Sequence, residues 1–522
     1  MVTPKQLRKL FAAGYQLTPE AYSLIENVTN IESVIEKILS KKFDKAILSV
    51  EDLNKILNQE KAKQPTISDL AIEDEKDEEF KAENLSVYTA LKSTEYENDT
   101  SKSHLRKEKI SADLEIISSP KNTKSPASAK SFLKYFESRF DEISQMFIRR
   151  RDIQNIIKTS SFKPSSSKDS ISVIALIINK QKTRKGHIIL DLEDKEGRIK
   201  GLITQSNVDL IHKAEFILED SVLCFTGTYY NGMLSIKDIQ WPDIPYGHRP
   251  NHAYEEVLAL FLSDIHVGSR NFAGNLFLRV INFLNGKLES EKYNQVGQKV
   301  KYLFVAGDVV DGVGVYPGQI EDLVLDDLHL QYLLSAEYFE QIRSDIEIIV
   351  IPGNHDGARA AEPQTPIQKE FAPELYTLDN VRLLGSPSYL KAHNVEILMS
   401  HGNSIMDINS AIPAIPHETS MPAMVEMLKN RHLVPIYGKR TPIVPDSVDQ
   451  LVIKKIPDIF QTGHTHLAGD ETYKGVTLIN SGTFQFQTSY QKSMNINPTT
   501  GQTYVINLKN LQRTVVDFNQ IF

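Results

Sequence analysis

The sequence of 522 residues predicts an α/β protein in which a small β-barrel and a larger layered α/β domain follow an N-terminal helical domain. Three patterns carry this prediction. Helix-capping residues with helical spacing occupy the first 60 residues, apolar and polar residues alternate from Ile171, and apolar strands alternate with amphipathic helices from Val257 onward. A chain of this length can form about two to four domains, each with its own core.

The composition, 41% hydrophobic and 24% charged, is typical of a soluble globular protein. The single cysteine, Cys224, excludes an intrachain disulfide and a cysteine-rich zinc module. The sequence has no apolar run of about 18 residues, as a transmembrane helix requires, and its first residues lack the apolar segment of a signal peptide. We therefore expect a cytoplasmic protein. The net charge of −8 argues against a protein that binds nucleic acid through overall basicity.

Residues 1–60 carry the sequence signals of a small helical domain. Thr29 and Glu32, for example, form a capping box ahead of helically spaced isoleucine and valine residues. A core this small suits a docking module better than an enzyme. Residues 61–130 lose the apolar period and are rich in Glu, Lys, Ser and Asn, so we predict a disordered linker. Its acidic run Asp69–Glu83 could bind a basic partner, although a solvated spacer explains it more simply.

Residues 131–250 predict a helix followed by a β-barrel. The helical period of residues 131–158 gives way to five short alternating stretches with glycine at the turns, which is typical of a small Greek-key barrel such as the OB fold. OB folds often contact nucleic acid through the loop between their first two strands, and that loop is basic here. A solvated surface or a protein-docking barrel fits the pattern equally well. The candidate DNA-binding residues are Arg149, Arg150, Arg151, Lys180, Lys182, Arg184 and Lys185.

In the predicted α/β domain, residues 251–522, five apolar strands are each followed by polar side chains that can bind metal. Open α/β folds place their sites at the carboxyl ends of strands. A lone Gly-Asp, His-Gly or Asp-x-His is weak evidence, and Gly-Asn-His-Asp and Gly-His-Thr-His are moderately specific. All five in this order, each after a strand, would be an improbable accident. The motifs are Asp264-Ile-His266, Gly307-Asp308-Val-Val-Asp311, Gly353-Asn354-His355-Asp356, His401-Gly402 and Gly463-His464-Thr-His466.

The residue types in these motifs predict a pair of divalent metal ions. Asp264 and His266 point to the same side of an extended segment, and a carboxylate such as that of Asp308 can bridge two ions. Mixed imidazole and carboxylate ligands suit Mn²⁺, Fe²⁺ or Zn²⁺ rather than Ca²⁺ or an all-oxygen Mg²⁺ site. Histidines outside such contexts are interpreted as ordinary surface or core residues, and these are His329, His417 and His432.

Together the motifs resemble those of the calcineurin-like metallophosphoesterases, over roughly residues 256–510. That resemblance implies a four-layer β-sandwich flanked by helices, with His355 as the catalytic histidine. It also implies that Asp311 and Asp356 orient ligand imidazoles. By the same resemblance, one ion is held by Asp264, His266 and His466, the other by Asn354, His401 and His464, and Asp308 bridges them.

The order of domains and the tract Met427–Gly438 resemble the small subunits of archaeal family-D DNA polymerases. This resemblance implies a 3′→5′ exonuclease, expected to use two Mn²⁺ ions (with Fe²⁺ or Zn²⁺ as alternatives), that proofreads for a polymerase and scaffolds it. The implied partners are a large polymerase subunit, DNA with single-stranded 3′ ends, and a sliding clamp. Two other functions stay open: a catalytically silent polymerase accessory subunit, and a stand-alone metallophosphoesterase acting on phosphomonoesters or cyclic nucleotides.

Overall fold

The computed structural model describes residues 16–17, 38, 47–48, 111–121, 127–162, 170–417 and 419–521. The chain divides into two compact units, residues 1–93 and 94–522. In the first unit, Gln16–Leu17 pairs in parallel with Ile47–Leu48, and Ile38 is buried. The predicted helical domain over residues 1–60 lies otherwise outside the described residues, as do residues 61–110 of the predicted linker.

The second unit begins, within the described residues, with strand β1 (Leu114–Ser118) and helix α1 (Ala129–Ile148). Strand β1 shows that the predicted linker is wrong over residues 114–118, because this strand lies at the edge of a six-stranded sheet. Contacts of this segment that its composition does not predict explain why the linker prediction failed here. The carbonyl of Asp113 accepts from the Tyr302 hydroxyl at 2.9 Å, and Leu114 packs against the core between the sheets. Composition reports side-chain polarity and does not reveal such main-chain bonds.

Five strands then close into a barrel in the order β2-β3-β4-β6-β5, which confirms the predicted five-stranded barrel. Neighbouring strands are antiparallel except β4 and β6. Alternate residues fill the interior, among them Val173, Leu190, Phe225 and Leu234, and helix α2 adds Leu210. The elements are β2 (Ile171–Lys182), β3 (Ile188–Asp194), β4 (Gly197–Ile203), α2 (Val208–Glu215), β5 (Val222–Tyr230) and β6 (Met233–Gln240).

Helix α1 lies against both the barrel and the α/β part of this unit. Tyr135 belongs to a core cluster of the α/β part, whereas Ile143 and Phe147 pack on barrel residues. Between them the side chain of Arg139, 1% exposed, forms an ion pair with Asp449 at 2.9 Å. Its remaining N–H groups donate to the Tyr135 hydroxyl and to backbone carbonyls. A buried, fully paired guanidinium thus joins the helix to the α/β part.

Replacing Arg139 by methionine is expected to lower the free energy of unfolding by about 3–5 kcal/mol, because it leaves the buried Asp449 carboxylate without its cation. The matched control is Lys195→Met. Lys195 pairs with Asp141 of the same helix at 2.8 Å, but both side chains are exposed, so less than about 1 kcal/mol is expected. Urea denaturation measures both. Equal effects would show that the Arg139 network does not stabilise the fold.

The α/β part contains two six-stranded sheets packed face to face. The first sheet has the order β10-β9-β8-β7-β16-β17, and the second has the order β14-β15-β13-β12-β11-β1. The first sheet and its helices comprise β7 (Leu258–Leu262), α3 (Gly274–Asn285), α4 (Glu291–Gln298), β8 (Val300–Ala306), α5 (Leu328–Glu340), β9 (Glu347–Ile351), β10 (Val381–Leu383), β16 (Gln502–Asn507) and β17 (Gln512–Asp517).

The second sheet and its helices comprise β11 (Ser388–Ala392), β12 (Val395–Met399), α6 (Ile405–Ala411), α7 (Met421–Asn430), β13 (Ile459–Thr462), β14 (Gly469–Tyr473), β15 (Val476–Asn480) and α8 (Ser489–Ser493). Phe261 and Phe304 meet Ile397 and Ile459 in the core between the sheets. The outer face of the second sheet packs against α6 and α7. The result is a mixed α/β fold. Among the described helices, none has the length and hydrophobicity to cross a membrane.

Two parallel sets of strands bring the five motifs together. Strands β7, β8 and β9 are parallel neighbours, and so are β12, β13 and β15. The carboxyl ends of parallel strands meet at one edge of their sheet, so the polar residues that follow them converge.

Candidate metal centre

The loops after three of the five strands, β7, β8 and β13, hold candidate ligands in an unusual backbone conformation. Left-handed φ angles cost non-glycine residues about 1–3 kcal/mol each and persist where the surrounding structure holds them, often at functional sites. Here they turn side chains from both sheets toward a common point. The φ angles are 51° at Asp264, 56° at His266, 51° at Asp308, 69° at His464 and 60° at His466.

Two glycines make room for this convergence. A Cβ at Gly353 would lie 2.1 Å from Oδ1 of Asp308, and a Cβ at Gly463 would lie 2.4 Å from Oδ2 of Asp264. Neither position can accept a side chain without displacing a carboxylate. The absence of a side chain at both glycines therefore allows the candidate ligands to converge.

Asp264, His266 and His466 form the first group of candidate ligands. Oδ1 of Asp264 lies 3.4 Å from Nε2 of His466 and 4.0 Å from Nε2 of His266, and the two Nε2 atoms are 3.1 Å apart. All three residues are buried, and their ligand atoms could hold one ion.

Asp308, Asn354, His401 and His464 form the second group. Nε2 of His401 lies 3.1 Å from Oδ1 of Asn354 and 3.2 Å from Oδ2 of Asp308. The ligand atoms of Asp308, His401 and His464 are also close enough to hold one ion. The same Oδ2 of Asp308 is 3.7 Å from Nε2 of His266 in the first group. The Asp308 carboxylate therefore lies between the two groups, where a bridging ligand would be.

The charges of these side chains suit ligation. Burial acts to raise the pKa values of Asp264 and Asp308, but the neighbouring histidines lower both. Burial lowers the pKa of His266, and burial together with His401 lowers the pKa of His464 to about 4. Ionised carboxylates beside neutral imidazoles are the protonation states that bind metal.

His401 is the exception. Burial acts to lower its pKa, but Asp308 and Asp264 raise it to about 10, so that its imidazole carries a proton between acidic groups. Its Nδ1 donates to the Ala306 carbonyl at 2.7 Å, which leaves Nε2 directed at Asp308 and Asn354. A cation on Nε2 would satisfy the same carboxylates as this proton does.

Hydrogen bonds outside the two groups fix the orientation of the His266 ring. Oδ1 of Asp311 lies 2.9 Å from Nδ1 of His266. Gln485 donates to Oδ1 of Asp311 at 2.9 Å, and Gln319 donates to Oδ2 at 3.1 Å. Partners of this kind orient a ligand imidazole and set its tautomer.

Asp356 was expected to orient an imidazole, but its hydrogen bonds within the described residues are with other groups. Its carboxylate accepts from the backbone N–H of Gly353 at 2.9 Å and of Val309 at 3.2 Å, and from the Tyr332 hydroxyl at 3.0 Å. Burial and the charge of Asp308 raise its pKa to about 6. Asp356 therefore joins the loops that carry Asp308 and Asn354. The sequence could not reveal this, because the donors are backbone groups and a tyrosine from α5.

His355 lies beside the two groups of candidate ligands and belongs to neither of them. Its Nδ1 donates to the Asp311 carbonyl at 2.6 Å, and its ring centroid is 4.8 Å from that of His266. The second nitrogen, Nε2, makes no hydrogen bond within the described part of the chain and can bind another partner. Burial acts to lower the pKa of His355, but Asp308 and Asp311 raise it.

Comparison with known proteins identifies the family. The DNA polymerase II small subunit of Methanothermobacter thermautotrophicus is 38% identical over 396 residues, which cover 76% of this chain and 81% of that protein. The chain belongs to the family of DNA polymerase II small subunits. The small subunit of Pyrococcus abyssi is 36% identical over 75% of this chain, and the chain spans 63% of that protein's length. The small subunit of Halobacterium salinarum is 29% identical over 98% of both chains.

The B-subunit family of DNA polymerases alpha and epsilon matches residues 260–468. All seven predicted ligands lie within this range. In this member of the small-subunit family, the matched segment is thus the part that assembles the two ligand groups.

Two of the seven candidate DNA-binding residues of this small-subunit family member form hydrogen bonds within the chain. Arg150 pairs with Asp152 at 2.6 Å and donates to the Trp241 carbonyl at 2.8 Å. Lys180 donates to carbonyls at the C-terminal end of α2 and just beyond it, including that of Ile217 at 2.7 Å. A cation near helix carbonyls stabilises the helix end, so Lys180 supports the barrel. The remaining candidates, Arg149, Arg151, Lys182, Arg184 and Lys185, are exposed.

Sequence reasoning missed the segment after β15. Thr483 Oγ1 donates to the Asp264 carbonyl at 2.8 Å, Gln485 contacts Asp311, and the Gln491 amide lies 2.9 Å from Nδ1 of His466. A signal was present, because this polar segment follows a sixth buried strand, as the five motifs follow theirs. It lacks histidine and aspartate, so a search for metal ligands passes over it.

Proposed function

We propose that this chain hydrolyses phosphodiesters at the 3′ ends of DNA with two divalent metal ions, as the proofreading exonuclease subunit of a replicative DNA polymerase. The observation that carries the proposal is the position of Asp308 between two groups of buried ligands. A silent accessory subunit has no physical use for this arrangement.

The donor set fits such ions. Asp264, His266 and His466 would hold one, Asn354, His401 and His464 the other, and Asp308 both. Imidazole, carboxylate and amide ligands suit Mn²⁺, with Fe²⁺ or Zn²⁺ as alternatives. Two bound ions would supply Lewis acidity toward the phosphate and lower the pKa of a bound water.

The chain's own residues supply orientation and a proton. Asp311 holds the His266 ring, and its carbonyl holds Nδ1 of His355. Nε2 of His355 then carries the proton that is donated to the leaving 3′ oxygen or stabilises the transition state. Asp308 also accepts from the His355 backbone N–H at 2.9 Å, which ties the catalytic residue to the ligand that bridges the groups.

The domains divide the remaining work. We assign residues 251–522 to the calcineurin-like phosphoesterase fold as a four-layer sandwich, residues 131–250 to a helix and an OB-fold barrel, and residues 1–60 to a docking domain. The polymerising partner is a large subunit, as the names of the relatives imply. Further partners are DNA with single-stranded 3′ ends and a sliding clamp.

The test is hydrolysis of 5′-labelled single-stranded DNA by purified protein, with and without Mn²⁺. We expect Mn²⁺-dependent shortening from the 3′ end and release of 5′-mononucleotides. Faster hydrolysis of p-nitrophenyl phosphate than of DNA would favour a stand-alone phosphatase. Absence of any hydrolysis, both alone and with the large subunit, would favour the silent accessory subunit.

The chain alone is expected to bind single-stranded DNA weakly, with a shallow dependence on salt. Each phosphate contact on a single strand adds about 0.7 to the slope of log affinity against log salt, so five exposed cations give at most about 3.5. Adding the large subunit should tighten binding and steepen the slope. Salt titrations by fluorescence anisotropy measure both. A steeper slope for the chain alone would show that its DNA-binding surface is self-sufficient.

A further inference from the structure

The loop after Asp311 exposes apolar side chains beside the candidate catalytic histidine. Its residues 312–320 include no lysine or arginine, and four of its apolar residues are exposed to solvent. A contiguous patch of exposed apolar side chains is typical of a binding site. These side chains are Val313, Val315, Tyr316 and Ile320, whose exposed fractions are 42%, 38%, 38% and 57%.

Internal hydrogen bonds hold this loop in place. The buried Gln319 side chain donates to the Asp311 carbonyl at 2.8 Å and accepts from the Val315 backbone N–H at 2.8 Å. The Tyr316 hydroxyl donates to Asp322 at 2.9 Å, which fixes the ring at its polar end. The exposed apolar surface is therefore presented by an anchored loop, so a ligand that binds it meets an ordered surface.

Tyr316 also lies next to the candidate catalytic residue, His355. Its ring centroid is 6.4 Å from that of His355, and the two planes meet at 66°. A group that stacks on the Tyr316 ring thus lies beside the phosphate on which His355 would act. In a DNA strand, the group beside a scissile phosphate is a nucleobase.

We propose that Tyr316 binds the 3′-terminal nucleobase of the substrate by stacking. This inference rests on the proposed function and names a residue that positions the substrate for it. Every base has an apolar face, so an aromatic ring stacks on any of them without reading sequence, as proofreading requires. The absence of cations from the loop agrees with this, since the loop would contact the base and leave the phosphate to the ligand groups.

Stacking can be observed without hydrolysis. We use an oligonucleotide with 2-aminopurine at its 3′ end and a phosphorothioate at the last linkage, and we measure fluorescence as protein is added in Ca²⁺. The wild type and Tyr316→Phe are expected to quench the fluorescence, whereas Tyr316→Leu is not. Tyr246→Leu is the matched control, because Tyr246 is fully exposed and distant in sequence from the site. It should quench as the wild type does.

Hydrolysis supplies the second readout. Tyr316→Leu should lower kcat/KM about tenfold or more on DNA with a normal 3′ base, as the loss of one base stack implies. On DNA with an abasic 3′ residue, the wild type and the variant should be equal. Equal losses on both substrates would show that Tyr316 acts through His355 rather than on the base, and would overturn the proposal.

The two proposals fail separately. Quenching by the wild type that is lost in Tyr316→Leu supports the stacking site even if no DNA is hydrolysed. No quenching by the wild type overturns the stacking site even if DNA is hydrolysed, and the exposed loop would then be a surface for a protein partner.

Discussion

Replacing Asp308 by alanine is expected to abolish hydrolysis of DNA while the protein stays folded. Its Oδ2 lies 3.7 Å from Nε2 of His266 in the first group and 3.2 Å from Nε2 of His401 in the second. Removing a ligand shared by two ions forfeits several kcal/mol of charge stabilisation in the transition state, which corresponds to about 10³-fold or more in rate.

The measurements are Mn²⁺-dependent release of nucleotides and metal content by mass spectrometry. Asp326→Ala removes the same charge from an exposed loop position and should keep full activity. Circular dichroism and the melting temperature report whether the variant is folded. Full activity in folded Asp308→Ala would disprove the assignment of Asp308 as the bridging ligand.

The α/β part of the fold and the location of its site follow from local patterns. Each motif consists of a buried strand and the polar residues after it, and such units can be recognised without knowing the partner strands. Asp264 and His464 lie 200 residues apart, yet parallel pairing within each sheet brings each residue to the carboxyl-end edge of its own sheet, where the two are in contact. The convergence follows from the rule that α/β folds place their sites at strand ends.

The remaining contacts depend on partners far away in sequence. Lys180 lies in a basic stretch that predicts contact with DNA. In the structure, its ammonium donates to the carbonyls of Ala214 and Ile217, because α2 packs on the barrel. Arg139 has the spacing of a helix residue, and its burial depends on Asp449, 310 residues further along. In both cases the hydrogen-bond partners of the side chain are distant in sequence, so no local pattern identifies them.

The orientation of the side chains within the site also could not be predicted from the sequence. Gly353-Asn-His-Asp356 predicts a metal-binding loop, but it does not say which of its polar side chains faces the ions. In the structure, Asn354 meets His401, His355 meets the Asp311 carbonyl, and Asp356 turns away to bind backbone N–H groups. The three directions result from the turn itself, whose geometry is fixed by contacts with the loop after β8.

Replacing His355 by alanine is expected to lower kcat by about 10²–10⁴-fold, the usual contribution of general acid–base catalysis, while two ions still bind. The second half of this expectation follows from geometry. Nδ1 of His355 is occupied by the Asp311 carbonyl at 2.6 Å, and the other candidate ligands meet one another without its ring. His329→Ala, an exposed histidine on α5, is the matched control and should keep both activity and metal content.

Titration calorimetry with Mn²⁺ and initial rates of DNA hydrolysis separate catalysis from ligation. For His355→Ala we expect unchanged stoichiometry, a lower kcat, and partial recovery of the rate when free imidazole is added, since imidazole can occupy the space left by the ring and supply the same proton. A stoichiometry that falls from two ions to one would instead make His355 a ligand.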